Sequence, residues 1–270
     1  MNAIYVVIVL YKIDLFEARS YQTLIAPNQI KDFLVYDNSP QEGYTDTSKL
    51  PDGATYIHDK SNSGLSAAYN RGAQIAKEKD FRRVLLLDQD TYFEPNVWQA
   101  YVENADYAGI TSPIITTEGQ QSLPFSPVKI DGLFKRAEKM TKPGEYSLYQ
   151  YAVVNSGCCV PTHLFLQCGG YDPRVTLDFS DFQFQLRLRK HYSKFLLLNA
   201  HAIQDFSNDC TDVSKIKARF ALYLKSARCF QTDNRKDWIK HQCEVWKHIA
   251  ALTLRTHSLY FIKTYISKYL

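Results

Sequence analysis

The chain has 270 residues, 45% of them hydrophobic and 22% charged, and this balance excludes both a disordered chain and a protein with many membrane spans. That length fits one large α/β domain or two small ones. The net charge of +4 is unevenly placed, because residues 215–270 hold 12 Lys and Arg against 3 Asp and Glu, whereas the first 214 residues are acidic.

Apolar runs predict β-strands at residues 4–11, 32–39, 54–59 and 83–90. The first run, AIYVVIVLY, is too short to span a bilayer, which needs about 20 residues, and it lacks the basic flank of a signal peptide. Between the third and fourth runs, NSGLSAAYNRGAQIAKEKD begins with turn and cap residues and predicts a helix with a small-residue face. Strands that alternate with helices favour an α/β fold in which helices flank a mostly parallel sheet.

The second half of the chain has weaker patterns. Glycine and proline residues interrupt the segment from 105 to 150, which predicts a loop-rich region. Beyond residue 214 the apolar spacing is helical, on faces formed by Ile216, Phe220, Tyr223, Leu224, Ala227, Val245, Ile249 and Leu252. The last helix has a face of Ile262, Tyr265, Ile266 and Tyr269. With its lysines, that helix can lie on a membrane surface or pack on its own domain.

Polar residues end three of the predicted strands: Tyr11 the first, Asp37-Asn38-Ser39 the second and Asp88-Gln89-Asp90 the fourth. An Asp after a strand is often only a turn former, but ligands bind at the carboxyl ends of parallel strands. Two carboxylates one residue apart repel each other unless a cation lies between them. Because Mg²⁺ takes carboxylate and phosphate oxygens, the Asp-x-Asp pattern indicates a metal–diphosphate site.

Six segments extend this interpretation: VVIVLYK, VYDNSP, NSGLSAAYNRG, LLLDQDTYFEP, NSGCCV and GGYDPRVTLDFSDFQFQLRLR. In this order, over about residues 4 to 210, they resemble the inverting, family-two glycosyltransferases of the GT-A fold, and most closely the rhamnosyltransferase-like members. The resemblance implies a Rossmann-like GT-A domain at 1–214, with a nucleotide-sugar half at 1–104 and an acceptor half at 105–214. A basic amphipathic helical extension follows at 215–270.

The implied reaction is the inverting transfer of a sugar from a nucleoside-diphosphate sugar to a saccharide or lipid-linked saccharide of a cell-surface polysaccharide. The LDQDT form favours dTDP-rhamnose as the donor, and UDP-hexoses and UDP-galactofuranose stay open. By the resemblance, Asp181, just before a helix, is the general base. The other implied nucleotide-sugar contacts are Tyr11, Asp37, Asn62, Gly64, Asn70, Arg71, Asp88 and Gly170.

Asn155, Ser156 and Asp178 are the implied acceptor contacts, and Asp90 with Asp88 is the implied ligand pair for Mg²⁺ or Mn²⁺. A further metal-binding histidine is expected after the next strand. His201 is one candidate, but the family pattern aligns better on Gln204-Asp205-Phe206-Ser207, which replaces the histidine by Gln204. Gln183 likewise stands where relatives commonly have an acidic residue.

Other readings stay open. Gln183 and Gln204 allow a catalytically silent sugar-nucleotide-binding protein. A nucleotidyltransferase would need a glycine-rich loop after the first strand, where YKIDLFEARS has no glycine.

The six cysteines show no zinc or disulfide spacing, which favours the cytoplasm. No nucleic-acid motif accompanies the basic tail, so we expect residues 240–270 to contact the inner face of the cell membrane. The sequence predicts no oligomeric state.

Overall fold

The protein is described by a computed structural model that covers residues 3–118, 124–138, 142–204 and 212–269. Its strands are β1 (Ile4–Leu10), β2 (Phe33–Asp37), β3 (Thr55–His58), β4 (Arg83–Asp88), β5 (Thr91–Phe93), β6 (Ile110–Thr117), β7 (Pro124–Ser126), β8 (Val128–Lys129), β9 (Arg136–Ala137), β10 (Gly144–Ser147), β11 (Tyr151–Ala152), β12 (Cys158–Pro161) and β13 (Lys194–Gln204). Its α-helices are α1 (Leu65–Glu78), α2 (Val97–Glu103), α3 (Thr162–Gln167), α4 (Ser180–Leu188), α5 (Val213–Cys229), α6 (Arg235–Thr256) and α7 (Tyr260–Tyr269). Single helical turns of other types occur at Leu15–Glu17, Tyr21–Ile25 and Thr47–Lys49.

The main sheet has the strand order β10-β13-β6-β12-β4-β1-β2-β3, with β5 added beside β13 and β7 beside β6. The four strands predicted from apolar runs form one parallel block, in which β1 pairs with β2 and β4, and β2 pairs with β3. β12 runs antiparallel to both β4 and β6 and connects this block to the second half of the sheet. The predicted α/β fold with a mostly parallel, helix-flanked sheet is confirmed.

Side chains of β1 alternate between two hydrophobic clusters. Val7 and Val9 join the cluster on one face of the sheet, which includes Tyr69 of α1, and Val6 and Ile8 join the cluster on the other face. Such two-sided burial explains why the strand reads as a continuous apolar run. The predicted small-residue face of α1 allows a close approach, since a Cβ atom on Gly72 would lie 2.2 Å from Val7 Cγ2.

The region from 105 to 150 is less irregular than the sequence indicates. Its longest strand, β6, lies inside the sheet between β12 and β13. The sequence does not predict this strand because it contains Pro113, and proline has no N–H for a strand ladder. In the structure Pro113 falls where the pairing of β6 with β13 shifts register, between the pairs Ser112–Leu197 and Ile114–His201, so the missing N–H is tolerated.

Helices α5, α6 and α7 share a third hydrophobic cluster, which also contains Val175 and Phe179. The predicted helical faces of α5 and α6 are confirmed, since all of their named residues are buried. The predicted face of α7 is corrected: Tyr265 is buried in this cluster, and Ile266 is exposed. The side chain of Tyr269 and the residue Cys210 lie outside the described part of the chain, in which the other five cysteines are free thiols.

Candidate active site

A cleft of about 500 Å³ opens at the carboxyl ends of β1, β2 and β4. Its lining includes Leu10 at the end of β1 and Tyr11 after it, Asn38 after β2, and Asp88 at the end of β4 with Gln89 and Asp90 after it. The opposite wall comes from the loop before α1, the segment before α4 and helix α5, through Asn62, Gly64, Leu65, Thr176, Leu177 and Leu222. This is the edge at which a parallel sheet exposes ligand-binding residues.

Asp88 is held firmly at the base of the cleft. Tyr69 Oη donates to Asp88 Oδ1 at 2.7 Å, and Gln204 Nε2 donates to Asp88 Oδ2 at 3.3 Å. Burial raises the pKa of this carboxyl, the two hydrogen bonds lower it, and the charge of Asp181 raises it further. The carboxylate of Asp181 is therefore near enough to Asp88 to act on its ionisation.

Gln204 connects the two carboxylates of the Asp-x-Asp motif, since its Nε2 also lies 3.4 Å from Asp90 Oδ1. Its Oε1 is buried and has no hydrogen-bond partner among the described residues. A half-turn of the amide exchanges the nitrogen for this oxygen. Two carboxylates and an amide oxygen are hard ligands that fit Mg²⁺ or Mn²⁺. Among the described residues no three His, Cys, Asp or Glu side chains lie together as a metal site, so water and phosphate oxygens would complete the coordination.

His201 does not reach this site. It is exposed on β13 and pairs across the ladder with Ile114, whereas Gln204 ends the same strand beside the carboxylates. Side chains three residues apart on a strand project from opposite faces, so only one of the two candidates can face the cleft. The prediction of His201 as a metal ligand is corrected in favour of Gln204, and Asp205, Phe206 and Ser207 lie outside the described residues.

The end of β2 differs from the prediction in a similar way. Asp37 is fully buried, and its two carboxylate oxygens accept hydrogen bonds from Ser39 N at 2.8 Å and Tyr56 Oη at 2.8 Å. The neighbouring Asn38 lines the cleft instead, and within the part of the chain that the structure describes its buried Oδ1 has no hydrogen-bond partner. Asp37 therefore stabilises the turn that follows β2, and Asn38 is the residue of this turn that lines the cleft.

The loop before α1 has the predicted place beside the cleft. Asn62 and Gly64 both have left-handed backbone angles, with φ values of 50° and 85°. A Cβ atom on Gly64 would lie 2.5 Å from the carbonyl oxygen of Thr176, and Leu65 N donates to that oxygen at 3.1 Å. Glycine is thus required for the contact between this loop and the segment that leads to α4.

Asn70 and Arg71 do not line the cleft. Asn70 bonds both backbone groups of Tyr171, through Nδ2 to the oxygen at 2.8 Å and through Oδ1 from the nitrogen at 2.7 Å. This ties α1 to the tight turn in which Gly170 has a φ of 62°. Arg71 is half-exposed and lies 3.6 Å from Glu78 on the outer face of α1. The prediction that these residues contact the nucleotide is corrected to a structural role for Asn70 and a surface position for Arg71.

The three predicted acceptor contacts are all engaged within the protein. Asn155 is buried between Tyr171 Oη, which donates to it at 2.7 Å, and Ser180 Oγ. Ser156 Oγ accepts from Asp88 N at 3.2 Å and lies 2.7 Å from Thr91 Oγ1. Asp178 pairs with Arg219 of α5, whose Nη2 lies 2.8 Å from Asp178 Oδ1. These three residues form contacts within the protein, and they are not among the residues that line the cleft.

Asp181 lies in the first turn of α4, and its Oδ1 accepts from Phe182 N at 2.8 Å. A helix N-terminus favours the charged form of a carboxyl, but burial outweighs this effect and raises the pKa of Asp181 to about 6. The cation of Lys135 opposes this rise. A carboxyl with such a pKa is poised to exchange a proton near neutral pH.

Comparisons with known proteins show the family to which the chain belongs. Residues 24–163, more than half of the chain, match the family model described as Glycosyl transferase family 2. The chain belongs to glycosyl transferase family 2. No curated protein matches it.

Two solved structures resemble this family 2 glycosyltransferase. One is GalNAc-T7 with UDP, GalNAc and Mn²⁺, at a TM-score of 0.58 and 13% identity, covering 95% of this chain and 58% of that one. The other is TarS 1–349 of S. aureus in complex with UDP, at a TM-score of 0.58 and 14% identity, covering 96% of this chain and 75% of that one. At these identities the likeness establishes the fold alone. The chain thus spans little more than half of the GalNAc-T7 structure.

Several residues of the glycosyltransferase cleft escaped the sequence analysis. Gln89, between the two aspartates, accepts from Tyr11 N through Oε1 at 2.7 Å and joins the ends of β1 and β4. Ser20 Oγ donates to the backbone oxygen of Asp88, and to that of Thr91 at 3.2 Å. Both roles depend on contacts between distant segments, and no local pattern signals them.

Proposed function

We propose that this family 2 glycosyltransferase transfers a sugar, with inversion at its anomeric carbon, from a pyrimidine nucleoside-diphosphate sugar to a saccharide or lipid-linked saccharide. The observation that carries the proposal is one cleft that is lined by Asn38, Asp88 and Asp90, with Asp181 near enough to raise the pKa of Asp88 by its charge. The LDQDT segment favours dTDP-rhamnose as the donor. The UDP in both similar structures supports a pyrimidine nucleotide and keeps UDP-sugars as the alternative.

Asn38 is the proposed contact of the base. A carboxamide presents one acceptor and two donors, which complement the N3–H and a carbonyl oxygen of uracil or thymine. Its buried Oδ1 has no partner in the described ranges, a costly state that a bound base would relieve. Tyr11 also lines the cleft, and its exposed side chain offers a ring on which the base can stack.

The diphosphate is proposed to bind between Asp90 and the N-terminus of α1. That helix presents its positive end to the cleft at Gly64 and Leu65, where an anion is favoured. Asp90, Asp88 and Gln204 would hold Mg²⁺ or Mn²⁺, which would neutralise the leaving diphosphate. Tyr69 and Ser20 fix Asp88 in position, so the acidic pair keeps its geometry without a ligand.

Asp181 is proposed to accept the proton of the acceptor hydroxyl as that oxygen attacks the anomeric carbon. Its pKa of about 6 leaves it ionised at neutral pH, yet basic enough to accept a proton. Inversion by a single displacement needs no covalent nucleophile. The nearby thiol of Cys158 is not a candidate nucleophile, because burial raises its pKa and keeps it protonated.

Nucleotide binding tests the proposal. We expect isothermal titration calorimetry with Mn²⁺ to show binding of UDP and dTDP, and at least about tenfold weaker binding of GDP and ADP, because a two-ring purine needs more room than the pyrimidine proposed to lie beside Asn38 and Tyr11. Asn38→Ala should weaken UDP and dTDP by about tenfold, the value of one lost hydrogen bond of about 1.4 kcal/mol. Gln41→Ala, which removes an exposed amide three residues away, is the matched control. Equal affinity for purine and pyrimidine nucleotides would contradict the assignment of the base.

Contact with an anionic membrane surface is also proposed, through the outer face of α6. Within the described helices none is long and apolar enough to cross a bilayer. Opposite its buried face, α6 exposes Ile239, Trp246 and Leu254, whose side chains share one side of the helix by their spacing. Exposed basic residues flank them, namely Lys236, Lys247, Arg255 and Lys263. Apolar and basic residues on one surface are typical of a helix that lies on acidic lipids.

A single substitution distinguishes this surface. Leu254 is 74% exposed, and Leu254→Glu should weaken co-sedimentation with phosphatidylglycerol-containing vesicles by about tenfold or more, because it removes apolar burial and adds repulsion. Val102→Glu makes a comparable change at an exposed position of α2 and should leave vesicle binding unchanged. Equal vesicle binding by the two variants would contradict the assignment of this face.

A further inference from the structure

The C-terminal helices contact both segments that flank the proposed base. One is the loop between β8 and β9, which carries Lys135, and the other is the segment from Val175 to Phe179, which leads into α4. Asp181 lies two residues after the end of that segment. The helices are thus placed to influence the base, although none of their residues is a candidate for the chemistry.

The β8–β9 loop is fastened to α6 by its backbone. Lys240 Nζ donates to the carbonyl oxygens of Ile130 at 2.7 Å and Asp131 at 3.1 Å. The backbone nitrogen of Lys135 donates to the carboxylate of Glu244. Contacts at both ends of a short loop fix its backbone, and with it the origin of the Lys135 side chain.

The ammonium group of Lys135 points at the start of α4. Its Nζ lies 3.1 Å from the ring centroid of Phe182 and 5.1 Å from that of Phe179. Phe182 follows Asp181 in α4, and the two aromatic rings hold the cation at the start of that helix by cation–π contact.

Phe179 is itself held in an uncommon conformation. Its φ of 67° lies in the left-handed region, which bulky residues seldom adopt. Its ring is buried in the C-terminal cluster, 5.1 Å from Tyr223, 5.9 Å from Phe230 and 4.7 Å from His241 between centroids. The helices therefore determine the backbone two residues before the base as well as the loop opposite it.

We propose that Lys135 is a positioning residue for Asp181: the C-terminal helices hold its cation beside the base and keep the carboxylate charged as the acceptor binds. The proposal rests on the proposed role of Asp181 as the base. It gives residues 215–270 a function in the reaction that is independent of any membrane contact.

The charged groups around Asp181 and Lys135 can be compared by their effect on the pKa of Asp181. The groups that act on Asp181 or Lys135 are Asp88 of β4, Asp178 before α4, and Glu244 and Lys247 of α6, with buried Cys158, Tyr171 and His241 nearby. Among these groups, Lys135 is the one whose charge lowers the pKa of Asp181. Burial lowers the pKa of Lys135 to about 8, so it is charged over the range in which Asp181 titrates. Removal of the cation should raise the pKa of Asp181.

The pH profile of sugar transfer tests this inference. In Lys135→Met, the acidic limb of kcat/KM should move to higher pH by about one unit, since a nearby opposite charge shifts a carboxyl by that much or more. Lys135→Arg should restore the wild-type limb. Lys129→Met removes a lysine from the neighbouring strand β8 and should leave the limb in place. Above pH 8 the kcat of all four proteins should agree, because Asp181 is then ionised in each.

The outcomes separate this inference from the function on which it rests. A uniform loss of kcat at every pH, or an unmoved acidic limb, would overturn the role of Lys135 while the proposed function stands. Wild-type-like turnover of Asp181→Asn would overturn both. Thermal melting and nucleotide affinity report whether each variant is folded, and Lys135→Gln replaces Lys135→Met if the latter melts below the assay temperature.

Discussion

Asp181→Asn should lower the turnover of sugar transfer by about 10²- to 10⁴-fold, the range typical for the loss of a general base. The amide has nearly the same shape and can still accept the hydrogen bond from Phe182 N, but it cannot accept a proton. Asp181 is not among the residues that line the nucleotide cleft, so the affinity for UDP or dTDP should stay within about twofold of wild type. Stopped assays of product formation and calorimetry measure the two quantities separately.

Asp178→Asn is the matched control, because it makes the same change three residues earlier. Asp178 is paired with Arg219 and does not line the cleft, so we expect a loss of turnover below about tenfold. A larger loss would restore the prediction that Asp178 contacts the acceptor. A turnover in Asp181→Asn close to wild type would instead remove Asp181 as the base. In the wild type, transfer should fall as the pH drops through about 6, where Asp181 becomes protonated.

Asp90→Asn should lower kcat/KM by about 10²-fold or more and weaken the binding of nucleoside diphosphates in Mn²⁺. The reason is electrostatic, since a cation and a carboxylate at the leaving group together contribute several kcal/mol and each 1.36 kcal/mol corresponds to a tenfold change in rate. Chelation with EDTA should reproduce the loss in the wild type and have little further effect on the variant. Steady-state rates over a Mn²⁺ titration measure both effects.

Gln204 and His201 provide an internal comparison for the same experiment. Gln204→Ala should raise the Mn²⁺ concentration needed for half-maximal rate, because it removes the amide that lies against both carboxylates. His201→Ala, at an exposed position on the same strand, should leave it unchanged. The reverse result would return His201 to the site and contradict the placement of Gln204.

The position of Asp88 and Asp90 was predictable because the rule involved is global. Parallel strands bring their carboxyl ends to one edge, and a buried strand such as β4 is visible as a continuous apolar run. The prediction placed both carboxylates at that edge, and the structure has them lining the cleft. The family resemblance placed Asp181 just before a helix, and in the structure it lies in the first turn of α4.

Side-chain direction was the harder problem. In extended backbone a shift of one residue turns a side chain to the other face, which separates Asp37 in the interior from Asn38 in the cleft. On a helix, adjacent residues point about 100° apart, so Asn70 and Arg71 could not both face one ligand. Sequence patterns locate such residues within the correct turn, but only the packing decides which of them faces the ligand.

Lys135 illustrates a third limit. Its loop lies about 45 residues before Asp181 in the chain and about 110 before Glu244, and the three meet only because α6 packs beside α4. Nothing local to residues 130–135 indicates a role, since a lysine in a loop is ordinarily solvated. Contacts of this kind depend on the relative placement of whole elements, and single-sequence patterns carry no information on it.

Anomalous diffraction from crystals soaked with Mn²⁺ and dTDP or UDP tests the central claim most directly. The account predicts a manganese peak coordinated by Asp90 and by diphosphate oxygens, with the pyrimidine ring at Asn38 and Tyr11. A nucleotide bound elsewhere, or a diphosphate in the cleft at saturating Mn²⁺ without a metal peak at Asp90, would contradict it.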